Sequence, residues 1–106
     1  MPVHIVLCTV PTEEHARQIA RALVEERLAA CVNVVPVLSS IYRWEDSICD
    51  DAELLLLIKT RSEVFPRLVS RLRSLHPYQV PEIVAVAAAD VSPDYLAWLL
   101  GATAAD

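Results

Sequence analysis

Residues 29–60 read AACVNVVPVLSSIYRWEDSICDDAELLLLIKT. The first half, Ala29 to Trp44, is too β-branched and too aromatic for a helix, so it reads as a long strand. Pro36 interrupts that strand, and a proline lacks the N–H a ladder needs, which predicts a bend or bulge there on a sheet edge. Glu45-Asp46-Ser47 supplies the turn. Ile48 to Thr60 returns as a second long strand. Two strands of this length, joined so tightly, make a hairpin that overruns a small domain. Its projecting end carries unpaired edges, and completing a neighbouring subunit's sheet would hide them.

The sequence before the hairpin supplies a strand and a helix. Pro2 to Val10 is a short apolar, β-branched run closed by Pro11, a strand apolar enough on both faces to sit centrally. Thr12 then stands as an N-cap, with Glu13 and Glu14 favouring the positive end of the helix dipole. Ala16, Ile19, Ala20, Leu23, Val24 and Leu28 repeat at helical spacing and mark the buried stripe. After the hairpin, Ser62 is read as the cap of a second helix, with Pro66 tolerated in its first turn. Phe65, Leu68, Val69, Leu72 and Leu75 form its stripe. Glu82 to Ala89 reads as a buried strand, its alanines implying close packing. Ser92-Pro93-Asp94 starts a last short helix that Gly101 should end. The order is β-α-β-β-α-β plus a C-terminal helix. That is an α+β chain of the ferredoxin-like, split βαβ pattern, one domain over residues 1–106 without repeats or linkers.

Between the second helix and the last strand lies Leu75-His76-Pro77-Tyr78-Gln79-Val80-Pro81-Glu82-Ile83-Val84. Two prolines four residues apart forbid a helix and bias His76 and Val80 towards extended geometry. A stiff connector that carries a histidine, a tyrosine and a carboxylate is where function tends to sit. The plainer alternative is that the prolines end a helix while Tyr78 and Glu82 cover the sheet edge.

Composition limits the partners. Hydrophobic residues make up 55% of the chain, with a single glycine. Soluble domains average about 45–50% even with glycine counted, so the surplus needs a sink. No apolar run approaches the ~20 residues of a membrane span. A protein–protein interface remains, which predicts a homo-oligomer. The net charge of −5 argues against nucleic acid and anionic membrane. Cys8, Cys31 and Cys49 are an odd set without CxxC spacing. With no signal-peptide pattern at the N-terminus, they suit a reducing cytoplasm.

No catalytic signature is present: one glycine cannot build a phosphate loop, and no GxSxG, HExxH or local Cys–His pair appears. The expectation is therefore no enzyme and no organic cofactor. Thiols with imidazoles (Cys8, Cys31, Cys49, His4, His15, His76) would suit copper or zinc, though no pair has diagnostic spacing. Cys8 and Cys31 lie in apolar runs, where a cysteine is more often a small hydrophobe. Lys59 closes an intensely apolar strand. Either it lines a polar cleft, paired with Glu82 or Glu53, or it reaches past the strand end to water.

Taken together, Leu28-Ala29-Ala30-Cys31-Val32-Asn33, Ser40-Ile41-Tyr42-Arg43-Trp44, Leu57-Ile58-Lys59-Thr60, the segment His76 to Ile83 and Tyr95-Leu96-Ala97-Trp98 resemble the CutA family of divalent-cation tolerance proteins. The resemblance runs from about Ile5 to Leu99. It implies a ferredoxin-like subunit, a tight homotrimer built through the long hairpins and similar to the PII signal-transduction proteins, and a link to copper and other divalent cations. It also implies a metal pair, Cys8 and His76, and an inter-subunit cleft of Cys31, Tyr42, Trp44, Lys59, Tyr78 and Glu82. Two positions depart from the pattern. Leu75 stands where fuller versions of the metal site have a second histidine, and Asp46 where a turn glycine is usual. Three readings compete: a trimeric metal-binding or tolerance protein, a PII-like sensor or adaptor holding a small anionic metabolite in the cleft, and, last, an enzyme.

Overall fold

The computed structural model describes residues 2–104. Strand β1 (Val3–Val10) leads into helix α1 (Glu13–Glu25), and the hairpin follows as β2 (Cys31–Trp44) and β3 (Ser47–Arg61). A single 3₁₀ turn, Ser62–Val64, precedes α2 (Phe65–Leu75), then come β4 (Val84–Ala87) and α3 (Pro93–Ala102). The four strands form one antiparallel sheet in the order β2-β3-β1-β4, the split βαβ order expected of the chain. Among the described residues no helix is long and apolar enough to cross a membrane.

The core lies between one sheet face and the two long helices. Val6, Cys8 and Val10 of β1 and Leu54, Leu56 and Ile58 of β3 meet Ala16, Ile19 and Leu23 of α1 and Leu68 and Leu72 of α2. Each fully buried Leu or Ile contributes roughly 1.5–3 kcal/mol relative to exposure. α3 lies against the opposite face, where Leu99 packs with Val3 and Ala30. Its C-terminal end is tied down by arginines. Arg61 donates to the Thr103 hydroxyl at 2.9 Å and to the Leu100 carbonyl, and Arg27 donates to the Gly101 carbonyl at 3.1 Å.

Local chemistry sets the boundaries, and several differ from the sequence reading. Thr12 caps α1 as expected, its Oγ1 accepting the His15 N–H at 3.1 Å. The helix stops at Glu25, short of Leu28. Arg27 takes φ 61°, and the Arg27 and Leu28 amides return to the Val24 and Leu23 carbonyls at 3.1 and 2.9 Å. That is a Schellman ending, in which Leu28 stays in the core as the residue beyond the cap. Ser62 caps nothing through its side chain: it opens the 3₁₀ turn, and Val64 precedes α2 without a side-chain cap bond. Gly101 does not end α3, which runs one residue further to Ala102.

β4 is the largest correction. It is a four-residue edge strand rather than a buried one, with Val84 and Val86 about half exposed. Among the described residues it pairs only with β1, which leaves its other edge open within the subunit. From this stretch Ile83 and Ala85 reach the main core, and Ala88 packs against the cluster around Leu99.

The hairpin is as long as its sequence implies. β1 pairs with β3 only from Arg61 back to Leu54, so residues 47–53 pair with β2 alone and project as a two-stranded ribbon. The register shifts between Val35 and Leu38, which places Pro36 in a bulge. At the tip Trp44 pairs with Ser47, leaving Glu45 and Asp46 as a two-residue turn with φ 48° and 67°. Positive φ at both centres is the primed geometry that matches strand twist, though neither residue is glycine. Glycine adopts φ > 0 without a Cβ penalty. Replacing Asp46→Gly should therefore stabilise the subunit by about 0.5 kcal/mol, read as a higher urea midpoint with an unchanged slope.

Candidate functional site

The projecting ribbon and the connector from α2 to β4 form the two walls of a cleft. Ser40, Ile41, Tyr42 and Trp44 come from β2 on one side. Pro77, Tyr78, Gln79, Val80, Pro81 and Glu82 come from the connector on the other, and Thr9 of β1 lies between. Its volume is about 770 Å³, within the ~300–1,000 Å³ typical of small-molecule sites. Alternation along β2 turns Ser40, Tyr42 and Trp44 to one face, and the prolines hold the connector out of helical geometry.

Two phenol–carboxylate bonds support those walls. Tyr78 donates its hydroxyl to Glu53 at 2.5 Å, and Tyr42 donates its hydroxyl to Asp51. Glu53 is only 5% exposed, on the β3 face opposite the helices, so the Tyr78 bond is what reconciles that carboxylate with burial. Burial, then the bond to Glu53, drives the Tyr78 phenol well above the ordinary tyrosine range. The bond to Asp51 is the main cause that pushes Tyr42 up to about 12. The sequence reading missed both pairings. The available signal was Glu53 abutting four consecutive leucines, a carboxylate placed where a strand should be buried.

His76 orients Tyr78. Its Nε2 lies 2.8 Å from the Thr9 carbonyl and its Nδ1 3.1 Å from the Tyr78 amide N. A carbonyl only accepts and an amide N–H only donates, so Nε2 carries the proton and Nδ1 accepts. The two rings also pack at 4.8 Å. Burial lowers the His76 pKa below its ordinary value, and the Thr9 bond only partly opposes that.

The remaining residues of the expected cleft lie elsewhere in the subunit. Cys31 pairs with Lys59 at the far end of β2 and β3. The Lys59 ammonium sits 5.9 Å over the Tyr95 ring, under α3. Lys59 aligns with Ile5 and through it with Val86, four residues beyond Glu82 and two strands away, a separation of roughly 16 Å. Glu53 is six residues along the same strand, roughly 20 Å away. Neither carboxylate partners Lys59 within the subunit. Tyr42, Trp44, Tyr78 and Glu82 are brought together, whereas Cys31 and Lys59 form a second group with Tyr95.

Cys8 and His76 are held too firmly by the protein to fit a divalent ion. The Cys8 thiol is fully buried and donates weakly to the same Thr9 carbonyl, at 3.8 Å. Burial, with lesser contributions from Glu82 and Glu53, pushes it up to about 12, so a soft metal would have to displace a tightly held proton to gain a thiolate. Both His76 nitrogens are already bonded, and Leu75 packs against the core. Among the described residues no three His, Cys, Asp or Glu side chains converge on a common point.

Comparisons with known proteins converge on one family. The model of the CutA1 divalent ion tolerance protein family matches residues 4–102. The divalent-cation tolerance protein CutA of Thermus thermophilus is 61% identical over 95 residues, covering 90% of this chain and 92% of its own. Protein CutA of Mus musculus is 48% identical over 91 residues, 86% of this chain but 51% of its own. Among solved structures, the divalent cation tolerance protein from Thermus thermophilus superposes with a TM-score of 0.94 at 58% identity, over 96% of this chain and 99% of its own. CutA1 from Oryza sativa gives 0.96 at 39% identity, over 100% and 97%.

Two outcomes test the site's internal chemistry. Tyr78→Phe leaves a buried carboxylate without its donor and should cost about 1–3 kcal/mol in urea unfolding, largely recovered by adding Glu53→Leu. The titrations give stability a shape in pH. Cys8 holds its proton more tightly folded than unfolded, so its contribution is complete below its ordinary 9.0 and is lost as pH rises towards 12. Thermal midpoints should therefore fall above pH 9, and less steeply between pH 9 and 10 in Cys8→Val. His76 has a lowered pKa, so its contribution is present above about 6.5 and is lost as pH falls below it.

Proposed function

This chain belongs to the CutA1 divalent ion tolerance family, and on that premise we propose that it serves tolerance to divalent cations, copper among them, as a cytoplasmic homotrimer. The observation that carries the reading is the family match over residues 4–102, with a relative 61% identical whose name is that function. Among divalent first-row metals Cu2+ binds nitrogen, oxygen and sulfur donors most tightly, so it is the ion against which tolerance is most needed. Three free thiols persist most readily in a reducing compartment, which favours the cytoplasm. The reading includes no catalytic step.

The trimer is supported by surface that a lone subunit leaves unsatisfied. A two-stranded ribbon is marginal in water by itself. This one exposes Val37 at 73%, Ile41 at 70% and Ile48 at 62%, and β4 presents an open edge flanked by Val84 and Val86. Covering those residues with other copies would bury the apolar excess and both sheet edges.

A second reading has one observation in its favour: the 770 Å³ cleft is of small-molecule size, which supports a sensor or adaptor that holds a ligand there. Among the described residues of a subunit, the only charged one lining it is Glu82, and Lys59 lies elsewhere.

Light scattering should give about three times the 11.7 kDa subunit mass, and a monomer would overturn the assembly. A bacterial host lacking its own family member should regain growth in copper when this chain is supplied. No gain in growth would overturn the tolerance reading. Because Cys8 and His76 are committed to internal bonds, the metal-free protein should be fully folded. Copper should bind more weakly than about 1 μM, with Cys8→Ser changing little.

A further inference from the structure

We propose that the ribbon is an arm hinged where it leaves the sheet, and that the Tyr78–Glu53 bond is the latch holding that arm in the direction assembly requires. The inference rests on the reading above that copies of this chain assemble through their ribbons, and names the device that prepares one copy to meet the next.

Two features fall at one level of the sheet. β1 makes its last pair with β3 at Val10 and Leu54, so Glu53 is the first residue of β3 with β2 as its sole neighbour. The register of β2 shifts between Val35 and Leu38, which pair with Leu55 and Glu53, so the bulge around Pro36 stands opposite Leu54. A bulge bends its strand and increases the local twist, and a proline there adds no ladder bond. The sheet thus loses a strand at the same level at which another strand is bent. Beyond it a two-stranded ribbon has little stiffness of its own.

One side-chain bond crosses this level from outside the ribbon. Tyr78 donates to Glu53 at 2.5 Å. Among the described residues it is the only hydrogen bond, ladders aside, between residues 36–53 and the rest of the subunit. The Tyr42–Asp51 bond lies wholly within the ribbon and ties it to nothing else. Tyr78 is itself fixed from behind. His76 accepts its amide N–H at 3.1 Å, packs against its ring and is held to the Thr9 carbonyl at 2.8 Å. The latch is anchored on β1 and closes on the first unsupported residue of β3. Glu53 is only 5% exposed, so without the phenol its carboxylate regains water by the ribbon tilting away from the connector. That tilt misdirects an arm that must reach a neighbour's sheet. A latched arm is already ordered, and assembly is spared that cost.

The test uses the intact protein with two readouts. Hydrogen exchange by mass spectrometry follows each segment, and native mass spectrometry follows the mixing of unlabelled with heavy-isotope-labelled copies. Tyr78→Phe should raise exchange about tenfold in residues 39–52 and leave residues 3–10 and 55–60 unchanged, and copies should mix about tenfold faster. Glu53→Gln keeps an acceptor for the phenol and should stay within about threefold of the unsubstituted chain in both readouts. Tyr42→Phe, which removes a bond internal to the ribbon, should do the same. Exchange that rises evenly through the whole sheet would overturn the latch, by showing that Tyr78 supports the core at large. Mixing accelerated equally by Tyr42→Phe would overturn it too, by showing that the phenols act as subunit contacts. Ribbon-selective exchange with unchanged mixing would overturn the role in assembly. A monomer in the same spectra would overturn the assembly reading, while exchange in the ribbon would still uphold or overturn the latch by itself.

Discussion

β3 pairs with two neighbours over different lengths, and most of what is distinctive about this subunit follows from that mismatch. Its ladder to β1 ends at Val10 and Leu54, where β1 gives way to Pro11 and the α1 cap. Its ladder to β2 continues to Trp44 and Ser47. Between Ser47 and Glu53 the strand loses the central position of the sheet and keeps only one partner. That unsupported length gives the molecule a long axis of 44 Å against 25 and 23 Å. It forms one wall of the cleft and accounts for much of the exposed apolar surface. The connector stands opposite because β4 pairs so late, beginning at Val84, that the residues before it are free of the sheet.

The Thr9 carbonyl organises the ground between ribbon and connector. It receives Cys8 from its own strand and His76 from the end of α2, and His76 then fixes Tyr78, which reaches Glu53. One backbone oxygen thus links two strands, a helix end and a loop through side chains. The same bonds commit the thiol and the imidazole to structure. Sulfur and nitrogen in the right neighbourhood do not by themselves make a metal site; the thiol must be able to give up its proton, and the neutral imidazole must keep an unbonded nitrogen.

The topology was legible in the sequence because its signals are local and redundant. Pro11 and Thr12 separate β1 from α1, Pro36 marks the bulge, and turn residues sit between two long strand-forming runs. What misled was the end of a pattern. Leu28 keeps helical spacing yet lies past a left-handed Arg27, since a core contact at the residue beyond the cap looks like one more turn of helix. β4 read as buried because Val, Ile and Ala dominate it, and composition does not distinguish a strand covered by its own subunit from one left at an edge. Within one subunit, half of the candidate site was legible. Tyr42, Trp44, Tyr78 and Glu82 interrupt apolar stretches and line one cavity. Lys59 and Cys31 do the same at the other end of the same two strands, and a strand's two ends are indistinguishable to a reading by residue type. The Glu53–Tyr78 bond spans 25 positions, beyond any local pattern.

The three thiols differ in access rather than in chemistry alone. Cys31 and Cys49 are partly open to solvent, whereas Cys8 sits at 0% exposure between the sheet and the helices. An alkylating reagent therefore meets two sites at once, and the third only when the core itself opens. The rate of that last modification measures how often the native state comes apart under native conditions, without denaturant or heat. Residue 8 is a clock for the persistence of the fold, already installed in its central strand.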